Sequence, residues 1–487
     1  MKHFYRLKLT ALFLTAILFS GRAAFADEAQ LISMIRDLQT QMQQMRIAIE
    51  GQNEKIRQLE TRGPAPAVSQ SVSGETPAAG ASAMSEQEFN ERLAAGLGGA
   101  NKWLKDLSFK GDLRLRYEAF QNHNGTPAET DDRNRFRYRL RYGFEKKFNE
   151  DMKVGFSMAS GEAVGGTSVD PTGANASFDN DFTFKHLFIE KAYAQYRLPF
   201  LRKGVITDSR ITAGKHDNPF EKGSSDIIWD RDVKPEGVSE QFDMKLIETS
   251  DFNLNGFLTT AQYILDEDAT VGGDAYLWAH QLGWSGAVHP GAFERPVDYL
   301  GAVSYYSYGE YATGGNFTVG GTSLARGNSN IDGSATDLDV ADFEILELYH
   351  ELSFYPAGFP VRPFFDWARN IGGDLRDGSD VVAIGVGEQD AWALGFKLGA
   401  IAKKGDWEFQ CAYKRIDANA VPGFNDGDFG NSGHSGKRGS VFKAGYAFTD
   451  AITLNLTAFF VNNLNADTST VLDEEQRRFQ TDLVWKF

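Results

Sequence analysis

The sequence predicts an all-β protein: a 16-stranded antiparallel transmembrane β-barrel, preceded by an N-terminal α-helical coiled coil. Three observations carry this. Beyond Trp103 apolar and polar residues alternate in segments near ten residues long, the length of a tilted strand that crosses a bilayer. The links between segments are alternately short and long, the asymmetry of outer-membrane barrels. The chain opens on an export signal, and no later stretch holds the roughly 18 apolar residues of a spanning helix.

Residues 1–26 read as a signal peptide: a basic start (MKHFYRLK), a short apolar core (LTALFLTAILF) and the cleavage site Ala24-Phe25-Ala26. This segment carries Lys2, Arg6, Lys8 and Arg22 and no acid, so its removal takes the net charge from -16 to -20. An exported acidic chain excludes a nucleic-acid partner, which calls for a basic domain. A single cysteine, Cys411, excludes an internal disulfide and a cysteine-built zinc site.

Residues 27–62 read as a periplasmic coiled coil. Leu31, Ile35, Leu38, Met42, Met45, Ile49, Gln52, Ile56 and Leu59 are spaced alternately four and three apart, a heptad seam. Ile at one seam position with Leu or Met at the other leans toward two strands. Residues 63–102, rich in Pro, Ala, Gly and Ser, read as a low-complexity linker.

Residues 103–487 read as the barrel. Sixteen alternating segments are expected at about 107–119, 134–147, 152–161, 185–199, 209–217, 239–248, 251–265, 274–287, 296–309, 341–355, 360–370, 389–402, 405–416, 438–449, 451–462 and 476–487. Even-numbered strands are followed by short links such as Asn149-Glu-Asp and Thr449-Asp, odd-numbered ones by long loops such as 217–238 and 417–437. An even count brings both barrel ends to the short-turn, periplasmic side. Sixteen strands are wide enough to enclose an aqueous channel. The last strand ends on Phe487 with Phe479, Leu483 and Trp485 on the same face, similar to the C-terminal assembly signal of outer-membrane proteins.

The stretch RNRFRYRLRYGFE (133–145) fixes its own orientation. Phe136, Tyr138, Leu140, Tyr142 and Phe144 suit lipid, whereas arginine on the lipid face costs about 2–4 kcal/mol at the midplane. Arg135, Arg137, Arg139 and Arg141 therefore face inward, joined by Arg114 and Arg116 of the preceding strand. The next strand places the small residues Gly155, Ser157 and Ala159 beside them. Such a wall either attracts anions or is tied up by carboxylates, and the sequence leaves both open. Loop 217–238 carries Asp226, Asp230, Asp232 and Glu236 beside Ile227, Ile228 and Trp229, too apolar for a loop in water. It either folds into the barrel mouth, where its carboxylates would oppose the arginines across a constriction, or packs on the rim, and the sequence leaves both open.

No HExxH or GxSxG occurs, and the eight histidines are scattered. No enzyme, metal or cofactor is expected.

The runs Phe109–Tyr117 (FKGDLRLRY), RNRFRYRLRYGFE, Gly214–Phe220 (GKHDNPF) and Trp229–Gly237 (WDRDVKPEG) resemble the bacterial family called putative porins, over roughly 103–487. A coiled coil ahead of a barrel also looks like the phosphate-selective and sugar-specific porins. The resemblance implies an outer-membrane porin of a Gram-negative bacterium, a homotrimer passing small hydrophilic solutes by passive diffusion. Outer-membrane lipid and lipopolysaccharide would surround it, with peptidoglycan a candidate partner of the coiled coil. Two alternatives stand beside this: a membrane-anchored tethering or assembly protein that uses the coiled coil, and an export channel for acidic polysaccharide.

Overall fold

The computed structural model describes residues 106–123, 132–164, 168–179, 181–267, 273–289, 295–312, 318–319, 322–323, 326–328, 338, 343–372, 388–430, 434–464 and 475–487. The expected signal peptide, coiled coil and linker lie outside the described residues.

Sixteen strands form the wall: β1 (Leu107–His123), β2 (Arg133–Lys147), β3 (Met152–Gly161), β4 (His186–Arg197), β5 (Ile206–Lys215), β6 (Glu236–Glu248), β7 (Phe252–Asp266), β8 (Ala275–Val288), β9 (Val297–Gly309), β10 (Phe343–Ser353), β11 (Val361–Asn370), β12 (Asp390–Gly399), β13 (Trp407–Ile416), β14 (Lys437–Ala447), β15 (Ile452–Asn463) and β16 (Glu475–Lys486). Each pairs antiparallel with the next, and β1 pairs with β16 from Asp112↔Lys486 to His123↔Glu475, so the sheet closes on itself. Closure removes the unpaired strand edges that hydrocarbon cannot solvate. The strands match the sixteen expected segments, the largest difference being at β1, which runs on to His123.

The short links close on side chains. The carboxamide oxygen of Asn149 accepts from the backbone N–H of Asp151 (2.9 Å) and Met152 (2.8 Å), and the Thr449 hydroxyl accepts from that of Ile452 (2.9 Å). These Asx- and Ser/Thr-type turns satisfy backbone donors without lengthening the connection.

The long loop 216–235 between β5 and β6 turns inward. Its two strand ends meet at Gly214↔Gly237, where both residues have positive φ (109° and 149°) and a Cβ would lie 2.3 Å and 2.1 Å from a neighbouring carbonyl oxygen. Only glycine fits such a bend. Past it, Phe220, Ile227, Ile228 and Trp229 are buried against inward-facing Tyr263, Leu277, Tyr306 and Phe343 of β7 to β10. The indole N–H of Trp229 donates to the Tyr308 hydroxyl (2.9 Å), and Gln281 donates to the carbonyls of Phe220 and Gly223 (3.1 Å each). The backbone N–H of Ser225 donates to Asp366 on β11 (2.8 Å).

A second loop, between β13 and β14, packs beside the first. Its Val421 and Phe429 are buried, and the two loops exchange backbone bonds from Asp230 N–H to the Phe424 carbonyl (2.7 Å) and from Asp426 N–H to the Asp226 carbonyl (3.0 Å). Together they fill the interior along β7 to β15 with apolar side chains. Glu347, Asp366 and Lys414 are buried within that filling, and the open polar cavities lie along β16, β1, β2 and β3.

Trp229 is the largest side chain of this filling contributed by loop 216–235. Trp229→Ala should cost about 3–5 kcal/mol. The change is expected as a lower temperature at which the folded barrel loses its compact migration in detergent gels, with a protease-sensitive loop 216–235.

Candidate functional site

The β1–β2 ladder sets arginine against arginine. Arg114 pairs with Arg139 and Arg116 with Arg137, while Asp112 opposes Arg141 and Glu118 opposes Arg135. Directly opposed like charges are destabilising, so the geometry holds only if carboxylates reach the guanidiniums from elsewhere. β16 supplies one source. Arg116 is forked onto Asp482 (2.7 and 2.8 Å), and its third nitrogen donates to Asp428 of the β13–β14 loop (3.0 Å). Glu118 is fully buried and accepts from Arg135, Arg478 and Gln480. Arg478 also binds Asp428 (2.6 Å).

Lower on the wall, Arg139 donates to Asp112 (2.8 Å), and Arg141 lies between Asp232 (2.6 Å) and Glu190 (2.8 Å). Glu190 reaches inward because β4 is bulged opposite Ser157/Met158, which breaks the alternation there.

Arg114 and Arg137 are different. Their nearest carboxylates are 4.0 Å (Asp482) and 3.8 Å (Glu162) away. Both instead bond to the neutral Asn175: Arg114 donates to its side-chain oxygen (2.5 Å) and Arg137 to its carbonyl (3.2 Å). Asn175 arrives on the β3–β4 loop, where Ala176 and Ser177 pair with Tyr138 and Arg137 of β2.

The four carboxylates expected at a constriction go to different places. Asp232 meets Arg141 and, at 3.6 Å, Arg139. Asp226 turns away to Lys414 (2.7 Å) and Lys443 (3.5 Å). Asp230 accepts from the backbone of Asp232 (2.7 Å) and Gly427 (2.9 Å). Glu236 begins β6, exposed, and pairs with Lys215 (2.6 Å). The six expected arginines do share one face, though Arg116 is enclosed, at 5% exposure.

Two cavities follow the arginine face. One of about 600 Å³, toward the long loops, touches Arg114, Arg137, Asp230 and Arg326. The other, about 540 Å³ and toward the short turns, touches Lys110, Glu145 and Tyr193. Arg139 and Arg141 line both, and Asp232, which binds Arg141, lines the larger.

Ionisation in the loops follows from these contacts. Burial alone would raise the Asp232 pKa, but Arg141, Arg139 and Arg114 outweigh it and hold the carboxyl well below its usual range. Asp428 is likewise held low against its burial by Arg478 and Arg116. Asp230 goes the other way: burial, then the charges of Asp232 and Asp426, push it well above an ordinary carboxyl. His434 is pushed down to about 3 by burial and by Arg326.

A closed barrel, apolar outside and holding a polar cavity within, defines an outer-membrane channel. The family described as "Putative porin" matches residues 121–338 and 339–471, and the chain belongs to it. No curated protein matches the sequence. Among solved structures the chain is similar to Pseudomonas putida OprB at high pH (11% identity, 80% of this chain and 97% of that one, TM-score 0.45). It is also similar to Salmonella typhi OmpF in complex with daunomycin (10%, 78% and 97%, TM-score 0.42) and to a loop L8 deletion mutant of Vibrio cholerae OmpT (9%, 78% and 99%, TM-score 0.40).

Asp232 has a lowered folded-state pKa, so its anchoring is complete above the ordinary carboxyl pKa of about 3.9 and is lost as pH falls through the lower folded value. The share of the protease protection of loop 216–235 that Asp232 supplies, read as wild type minus Asp232→Asn, should therefore be constant from pH 7 to about 4 and be lost below that. Asp232→Asn should weaken the loop by about 3 kcal/mol above about pH 4, with the difference from wild type vanishing once the wild-type carboxyl is protonated.

Proposed function

We propose that small hydrophilic solutes diffuse passively through the polar cavities beside β16 and β1 to β3, and that anionic groups are favoured. The observation that carries this is the pair Arg114 and Arg137, two guanidiniums at a cavity with no carboxylate within 3.5 Å among the described residues. Described residues lining the larger cavity include nine cations and seven acids, a balance of +2 (9 minus 7) in a chain of net charge -16. Carboxylate- or phosphate-bearing solutes fit that field. Asp232 on the facing loop adds a transverse component that orients dipolar solutes. Transport involves no chemical step.

The remaining parts extend the same reading. Residues 1–26 are removed on export, residues 27–62 form a coiled coil in the periplasm within reach of peptidoglycan, and the barrel assembles as a trimer among lipopolysaccharide. The apolar filling along β7 to β15 speaks against a polysaccharide exporter, which needs a wide polar bore. The same filling favours a second reading, a tethering protein whose barrel is only an anchor.

Planar bilayers under a salt gradient separate these. The porin reading expects discrete conductance with an anion-selective reversal potential. Arg114→Ala with Arg137→Ala should lower the anion/cation permeability ratio about threefold or more, the effect of ~0.7 kcal/mol from a unit charge about 6 Å away in water. A cation-selective wild-type channel overturns the anion preference. A folded barrel that does not conduct supports the anchor.

A further inference from the structure

The larger cavity separates its charges by where they come from. Six of the nine described cations that line it stand on the wall strands β1, β2 and β16, whereas all seven described acids come from loops. Many of these groups are matched: Arg141 with Asp232, Arg478 with Asp428, Lys443 with Asp226 and Arg326 with Asp170. Arg114 and Arg137 are not. They bond the neutral Asn175, and their carboxylates come no nearer than 4.0 Å and 3.8 Å.

Asp230 is the acidic counterpart. Its two oxygens accept from the backbone N–H of Asp232 (2.7 Å) and Gly427 (2.9 Å), and no ion pair joins it to a described cation. Burial and the charges of Asp232 and Asp426 push it well above an ordinary carboxyl. A buried acid responds in that way when its charged neighbours are of its own sign.

The unmatched groups of opposite sign are close together. Asp232, two residues on from Asp230, is docked on Arg141, and Asp428, beside Gly427, is docked on Arg116 and Arg478. Two residues of chain reach at most about 7 Å, which keeps Asp230 near the arginine wall. Arg114, Arg137 and Asp230 all line one cavity of about 600 Å³, a size that encloses small molecules.

We propose that this cavity is a binding site for zwitterionic solutes the length of a dipeptide. The solute's carboxylate docks on Arg114 and Arg137, and its ammonium docks on Asp230. The termini of a dipeptide are separated by the reach of two residues, again about 7 Å. A simple anion satisfies the arginines and leaves Asp230 without a cation; a simple cation does the reverse. A solute bearing both charges satisfies both ends at once, its ammonium taking the place of a proton on Asp230. The inference rests on the reading above that anionic groups dock at Arg114 and Arg137, and it names the solute that carries them.

Alanylalanine titrated into the full-length protein in detergent, followed by saturation-transfer NMR of its methyl groups, tests this. At about pH 7 it should bind at least about tenfold more tightly than N-acetyl-alanylalanine, which lacks the ammonium. The same margin should hold over alanylalanine amide, which lacks the carboxylate. Asp230→Asn should bring alanylalanine down to the affinity of its acetylated form and leave the acetylated form unchanged. Arg114→Ala with Arg137→Ala should bring it down to the affinity of the amide. Each variant is first checked for folded migration and a protease-resistant loop 216–235. On the wild-type protein, equal affinity for the free and acetylated forms, equal affinity for the free and amidated forms, or no binding of alanylalanine overturns the proposal. Conductance in planar bilayers is read alongside. An anion-selective channel that binds free and acetylated dipeptide alike loses this site and keeps the channel reading. A non-conducting barrel that prefers the free dipeptide keeps the site and loses the channel.

Discussion

A guanidinium set opposite another guanidinium across a strand pair is tolerable only when carboxylates reach the pair, and much of the interior is arranged around that demand. β1 and β2 bring Arg114 against Arg139 and Arg116 against Arg137. Their compensation comes from three directions: Asp482 from the closing strand, Asp428 from the β13–β14 loop and Asp232 from the β5–β6 loop. The two inward loops are therefore held to one wall by charge and to the opposite wall by apolar burial. Removing either hold leaves the other with more of the loop's ordering entropy to offset.

This division explains why the two cavities lie along the arginine wall. A sixteen-stranded cylinder is too wide for wall side chains to fill. Here β7 to β15 turn Tyr, Phe, Leu and Ala inward, and Phe220, Ile227, Ile228 and Trp229 complete a dry core against them. Gln281 and Asp366, buried within it, each bond the loop backbone. Water is left with the other side, where the residues that stay solvated are the arginines and their partners. The excess of cations there survives because Asn175, neutral, occupies the place a carboxylate could take beside Arg114 and Arg137.

How much of this was legible in the sequence depends on what repeats. Alternation located all sixteen strands, because a single period governs every crossing of the bilayer, and the arginines of β2 declared their side through the aromatics between them. The apolar Ile227-Ile228-Trp229 run marked the loop that turns inward. Arg478, Gln480 and Asp482 were readable too, as the face opposite Phe479, Leu483 and Trp485, yet a terminal strand draws attention to its apolar half. Glu190 was not readable, since a bulge reverses its side. Nor was the split of Asp226 to Lys414 and Asp232 to Arg141, which depends on the path a loop takes through space. Asn175 immediately precedes the two-residue strand Ala176–Ser177, which has no pattern of its own.

The same electrostatic rule operates on both surfaces of the wall, with different consequences. Inside, a weakly matched charge can draw in a loop, a water molecule or a passing solute, and Arg114 and Arg137 bond the neutral Asn175 while their carboxylates stay 3.8 Å or more away. Outside, hydrocarbon offers none of these. Thr260 and Gln262 give Glu240 neutral donors only, and no outward cation stands beside it among the described residues. An unmatched charge facing the lumen is thus a reason for a solute to come.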